Sequence, residues 1–189
     1  MTRRRAPHIP LRKPIYVGCE GASEAGYAAL LQDMANAAGR HVHLHVDQLG
    51  PGAGDPLDRI EMAARRIKLL RRTRVAFVSR FAFLDEDQAE REPRRANQAR
   101  SLAKENDIQI IWQRSCFEAV LLRHLPGRAT HRPPSSQDAH RALLRELPDY
   151  EKPLGRAALA KLIDLDGVLR AAVVEPELAA LLRVLGLMS

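Results

Sequence analysis

Residues 13–27 read KPIYVGCEGASEAGY, and the rest of the chain is interpreted around them. Ile15, Tyr16, Val17 and Cys19 make a short apolar run of the kind that forms a buried strand, and the run stops at Glu20-Gly21. A carboxylate is thereby delivered at the carboxyl end of a strand. Gly21 permits a sharp exit, Ser23 is placed to cap a helix, and Glu24 falls in the first helical turn, where the helix dipole favours negative charge. Ligands of open α/β sheets bind in the crevice outside the carboxyl ends of the strands, so two acids flanking one tight turn mark a candidate site.

Downstream, the spacing of Tyr27, Leu30, Leu31, Met34 and Ala38 predicts a helix over 24–39, with Gly39 as its stop. Residues 41–49, HVHLHVDQL, alternate as a strand, with Val42, Leu44 and Val46 on one face and His41, His43 and His45 on the other. Three imidazoles on one side could in principle share an ion, but alternate strand side chains stand about 7 Å apart. An exposed or edge-strand face is the simpler reading.

The loop Gly50-Pro51-Gly52-Ala53-Gly54 lacks the Lys-Ser or Lys-Thr of a phosphate-cradling Walker sequence. Asp55-Pro56 then signals a helix to about Arg72 that buries Leu57, Ile60, Ala64, Ile67 and Leu70 and turns its arginines, Arg59 included, to other sides. A second apolar strand over 74–84 runs into Asp85-Glu86-Asp87, with Arg80 as an awkward member that suggests a bend or an exposed edge. A helix over 92–106, a strand over 107–112 and a helix from a Ser115 cap to His124 follow. After a polar loop at 126–136, helices are expected at about 137–147, 155–163 and 176–185, with no further strand. The order implies an α/β fold with a mainly parallel sheet flanked by helices and a helical C-terminal extension.

At 189 residues the chain suits one domain: a flexible basic arm at 1–12, then a single unit over 13–189 whose helical part covers about 137–189. The net charge of +7 raises the expectation of a polyanionic partner. An aromatic content of 4% argues against a base-stacking platform. Cys19 and Cys116, the two cysteines, sit in apolar settings and read as free thiols of a reducing cytoplasm. No apolar run approaches a membrane span, and the Arg-rich start lacks the hydrophobic segment of a signal peptide.

Glu20, Asp85 and Asp87 each follow a strand, and parallel strands bring those ends to one edge. Such a cluster repels itself unless a cation compensates, and hard oxygen donors select Mg²⁺ or Mn²⁺. Taken singly, acids after strands are common, and Asp-Glu-Asp also reads as a solvated turn.

Several motifs coincide with a known family. Cys19-Glu20-Gly21-Ala22-Ser23-Glu24 resembles the first motif of the Toprim-like RloB family, and Asp85-Glu86-Asp87 resembles its Asp-x-Asp. Arg114-Ser115-Cys116-Phe117-Glu118, with Leu121-Leu122-Arg123-His124, is similar to its Ser-Asn-Pro-Cys-Phe-Glu element with a Leu-Leu-x-His ending. Tyr150-Glu151-Lys152 resembles a Tyr-x-Lys near its end, so the motifs keep the family's order across residues 14–174. Ser23 stands where the family has Thr, Arg114-Ser115 where it has Asn-Pro, and Val120 where it has an aromatic.

The resemblance implies a Toprim-like fold and a Mg²⁺-dependent nuclease acting on RNA or DNA in a phage-defence or restriction setting, together with an ATPase or other subunit. On it, Glu20, Asp85 and Asp87 are metal ligands, Glu20 doubles as a general base, and Glu24 is a second carboxylate. Glu118 joins the cluster or stabilises its own helix. His124 is a proton donor or, more simply, a satisfied helix histidine. Lys152 neutralises transition-state charge or is an ordinary surface lysine. The departures from the motifs leave room for an alternative: a catalytically degenerate nucleic-acid-binding or regulatory subunit.

Overall fold

In the computed structural model, residues 11–50, 55–73 and 75–189 are described. Most of the basic arm at 1–12 and the centre of the Gly50–Gly54 loop lie outside them. The strands are β1 (Lys13–Cys19), β2 (Val42–Gln48), β3 (Ser79–Asp85) and β4 (Gln109–Gln113). All pair in parallel in the order β2-β1-β3-β4.

The chain leaves β1 towards β2 on one side and returns to β3 on the other, so the topological switch point lies between β1 and β3. That is where an open α/β sheet leaves a crevice. Asp85 ends β3 and Glu20 directly follows β1.

Strand alternation divides the core. Ile15, Val17, Cys19, Phe81, Phe83 and Ile111 face α1 (Ala22–Ala37) and the helices after β4, where they meet Tyr27, Leu31, Phe117 and Leu121. Tyr16, Ala82, Leu84 and Trp112 face the opposite way, against Ile60 and Ile67 of α2 (Pro56–Arg72) and Ala96 and Ala99 of α4 (Pro93–Glu105). Between β3 and α4 lies the short α3 (Glu86–Arg91).

After β4 come α5 (Phe117–His124), α6 (Ser136–Glu146), α7 (Arg156–Leu162), α8 (Leu165–Ala172) and α9 (Pro176–Leu185). This extension completes the first core through Leu143, Leu159, Val168 and Leu182, all fully buried. An all-parallel sheet flanked by helices with a helical C-terminal part is the architecture expected of a Toprim-like α/β chain.

Several local expectations are corrected. Asp85-Glu86-Asp87 is not a turn, because the strand continues through Asp85 and α3 begins at Glu86. The strand expected from residue 74 starts at Ser79; Arg74 lies outside the described residues, and 75–78 are not strand. Helix α8 had no counterpart in the sequence reading, since eight residues give too short a window for a period to stand out.

Two caps also differ. The residue preceding α1 is Gly21, while the Ser23 hydroxyl accepts the Leu154 N–H at 3.1 Å. The residue preceding α5 is Cys116, and Ser115 Oγ is shut off from solvent with no hydrogen-bond partner among the described residues. Arg80 of β3 is half-buried and reaches Asp107 at 3.6 Å. His41 and His43 are exposed on or beside the edge strand β2, and His45 stacks against Tyr16 at 6.2 Å between ring centroids.

Candidate functional site: a carboxylate edge at the switch point

Glu20 and Asp85 meet across the switch point. The Asp85 backbone N–H donates to Glu20 Oε2 at 3.1 Å, and Gln88 Nε2 donates to Glu20 Oε1 at 2.8 Å. Starting α3 immediately after β3 makes this possible, because its first turn presents Gln88 to the same carboxylate. Asp85 Oδ1, by contrast, is closed to solvent and has no hydrogen-bond partner among the described residues.

The remaining acids stand around this pair. Glu24, in the first turn of α1, is 7% exposed, and Glu118, in the first turn of α5, is 4% exposed. Asp87 is half-buried; Ser136 Oγ donates to its Oδ2 at 2.6 Å, and Arg91 lies 3.5 Å away. Glu118 is held by the Lys152 ammonium and by the Tyr150 hydroxyl, which donates to Oε1 at 3.2 Å.

Lys152 arrives there because its segment is pinned to α1. Ser23 takes the Leu154 N–H, and a Cβ on Gly26 would lie 2.6 Å from the Leu154 carbonyl oxygen. Only glycine lets the two backbones approach this closely.

Electrostatics sets the acids apart from ordinary surface carboxylates. Burial, joined by the charges of Glu20, Glu24, Asp87 and Glu118, pushes Asp85 well above the usual carboxylate range. Burial raises Glu20 too, against the opposing pull of the Asp85 N–H and Arg59. Glu24 is likewise raised by burial, with Glu20 and Glu118 adding to it and Lys152 opposing. For Glu118, burial also pulls upward, but the Lys152 contact more than offsets it and holds the carboxyl low.

His124 does not share this environment. Its ring is 2% exposed, Nδ1 donates to the Val120 carbonyl at 2.7 Å, and Nε2 accepts from the Tyr27 hydroxyl at 2.8 Å. Val120 O can only accept, which fixes the tautomer. Burial pushes the imidazole down to about 4, so it is neutral near pH 7. Both ring nitrogens are committed, and the structure gives the satisfied helix histidine rather than a proton donor. Cys116 is no thiolate nucleophile either, since burial pushes its thiol up to about 12.

Three residues escaped the sequence reading. Arg59, expected on the solvated side of its helix, is 4% exposed; its Nη1 donates to the Leu49 carbonyl and, at 2.9 Å, to that of Gly50, and its charge is felt by Glu20. Gln88 falls between Asp85-Glu86-Asp87 and the helix expected from residue 92, in a stretch to which the sequence assigns no element. Gln113 ends β4, is 1% exposed, and among the described residues neither amide atom has a hydrogen-bond partner. A polar residue closing an apolar strand run is the signal that could have found it.

The donor set is oxygen throughout, and one buried carboxylate oxygen is orphaned, which is the chemistry a hard divalent cation answers. Among the described residues, however, no three His, Cys, Asp or Glu side chains are gathered into a ready-made ligand set. Glu20, Asp85 and Asp87 are therefore electrostatic neighbours around an edge rather than a closed cage.

A groove of about 580 Å³ between α2 and α4, lined in part by Arg65, Lys68, Arg71 and Arg80, lies at the amino end of the sheet. It belongs to the opposite end from the carboxylates.

No protein-family model matches the chain, and no curated protein or solved structure matches it.

Proposed function

We propose that the chain is a divalent-cation-dependent phosphodiesterase acting on nucleic acid, with the edge formed by Glu20, Glu24, Asp85, Asp87 and Glu118 as its centre. The observation that carries this reading is Asp85: a carboxylate at the switch point, surrounded by acids, with one oxygen buried and unpaired. Asp85 would hold Mg²⁺ or Mn²⁺, with Glu20 and Asp87 beside it. Such an ion supplies charge to orient a phosphate and to favour ionisation of an attacking water.

Each residue has a corresponding task. Glu20, its carboxyl raised by burial, is suited to accept the proton of the attacking water, and Gln88 and the Asp85 N–H hold its carboxylate in place. Lys152, exposed at the rim over buried Glu118, sets an ammonium where a phosphodiester would place charge. A net charge of +7 favours a polyanionic substrate of either kind, RNA or DNA. Buried free thiols at Cys19 and Cys116 suit a reducing, cytoplasmic compartment. Among the described residues, no helix is long and apolar enough to cross a membrane. The motif resemblance to the RloB family adds the phage-defence setting and an ATPase or other subunit as partner.

The direct test is cleavage of a panel of RNA and DNA substrates in Mg²⁺ or Mn²⁺. Cleavage that Asp85→Asn abolishes supports the reading; a folded protein that cuts none of them, with or without its partner subunit, and binds neither ion contradicts it.

A second reading, a non-cleaving nucleic-acid-binding or regulatory subunit, is favoured by one feature. Glu118 is neutralised by Lys152, and both Glu20 oxygens are taken by protein donors. On that reading, steeply salt-dependent nucleic-acid binding survives Glu20→Ala and Asp85→Ala.

A further inference from the structure

Three polar groups at the carboxyl end of β3 and β4 are buried with no partner among the described residues: Asp85 Oδ1, the Gln113 amide and Ser115 Oγ. Their backbones are adjacent. Asp85 and Gln113 are register partners in neighbouring parallel strands, about 4.8 Å apart. Two residues earlier, Phe83 and Ile111 both belong to the core on the α1 and α5 side, so strand alternation aims Asp85 and Gln113 to that same side. Ser115 is drawn in by its carbonyl, which accepts the Asp87 N–H at 3.1 Å.

An unpaired buried polar group is costly, so three at one strand edge call for something else to pair with them. All three can accept a hydrogen bond, since a carboxylate, an amide carbonyl and a hydroxyl each carry lone pairs. A small divalent cation that dehydrates reluctantly keeps several waters, whose protons point outward. With no three acidic or imidazole side chains at ligand spacing among the described residues, an ion at this edge would be held largely through those waters.

We infer that Gln113 and Ser115 are binding residues of the carboxylate edge, receiving the water shell of a hydrated divalent cation beside Asp85. The Gln113 carbonyl oxygen and Ser115 Oγ accept from that shell. This inference rests on the cation reading above and assigns to it two residues that carry no charge. It also separates the roles of two neighbouring glutamines. Gln88 is committed to Glu20 and positions it, whereas the Gln113 amide has no hydrogen-bond partner among the described residues.

The test is Mn²⁺ binding followed by electron paramagnetic resonance of the free ion, on the wild type, Gln113→Leu and Ser115→Ala. Thermal unfolding of each is measured without metal. Gln113→Leu is expected to weaken Mn²⁺ binding about tenfold or more, in the range typical of lost outer-shell partners, while its metal-free melting temperature holds or rises. Ser115→Ala should weaken binding in the same direction and stands in if Gln113→Leu does not fold. Wild-type binding with both variants equally tight overturns this inference and leaves the cation reading intact. A wild type that binds no Mn²⁺ overturns both. A loss of thermal stability with unchanged affinity assigns Gln113 and Ser115 to packing alone and also overturns it.

Discussion

The molecule buries charge in two places and treats it differently. In the helical extension, Arg123 is fully buried and faces Glu175, itself 3% exposed, at 2.8 Å. Arg123 Nε donates to the His131 carbonyl at 3.3 Å and Nη2 to that of Arg114, while Arg132 adds a second cation 3.4 Å from Glu175. Opposite charges are matched there, and neighbouring His124 has both ring nitrogens engaged. At the carboxylate edge like charges are gathered instead, with Asp85, Glu20 and Glu24 each raised by burial first and by neighbouring acids besides. A buried charge beside its counter-charge is tolerated by the fold and costly to unmatch; buried like charges without one are the feature on which the cation proposal rests.

The sharpest way to break this contrast is to unmatch the first region. Arg123→Met leaves Glu175 buried without its principal cation and should cost about 3–5 kcal/mol in denaturant unfolding. The double variant with Glu175→Met should recover most of that loss. A cost no larger than that of a surface substitution would mean the pair is not what supports the extension.

Next in size is Gly26→Ala, which sets a methyl group 2.6 Å from the Leu154 carbonyl and forces α1 away from the segment carrying Lys152. Overpacking of this kind costs about 1–3 kcal/mol. Loss of the Glu118 partner should accompany it, visible as a rise in the Glu118 carboxyl titration by carbon-detected NMR.

His124 and the raised acids of the edge should also respond to pH with opposite sign. His124 is pushed down to about 4 in the folded protein, below its unfolded value of about 6.5, so the unfolded chain takes up the proton first. Its contribution is complete above the unfolded value and falls away as pH drops from about 6.5 towards 4. Asp85, Glu20 and Glu24 are raised, so the folded state binds protons the unfolded chain has already released. Without metal, their part of the stability is greatest in acid and declines as pH rises through the raised values. Asp85→Asn should therefore gain on the order of 1 kcal/mol over the wild type at neutral pH, about 2–4 °C in melting temperature. The gain should shrink as pH is lowered; a pH-independent gain would mean that charge repulsion is not its cause.

Much of this contrast is legible in the sequence, but unevenly. The apolar runs ending in Glu20 and Asp85, the alternation of 42–48 and the cap at Asp55 rest on local period and turn chemistry, and those elements form where such rules place them. The convergence of Glu20, Asp85 and Glu118 follows from parallel topology, which the order of elements implies. What the sequence hides depends on partners far along the chain. Ser23 forgoes its own helix for Leu154, Arg59 turns inward to the Leu49 carbonyl, and Gln113 is buried with its amide unpaired. No local pattern shows which surface a polar side chain will meet after folding.

The contrast rests finally on whether the carboxylate edge accepts a divalent cation. Calorimetric titration of Mg²⁺ and Mn²⁺ into the wild type and into the Asp85→Asn, Asp87→Asn double variant, both checked for folding by circular dichroism, measures this directly. Binding by the wild type that is lost in the double variant is the expected result. A folded wild type that takes up neither ion, or a double variant that binds as tightly, would contradict the assignment of this edge as a cation site.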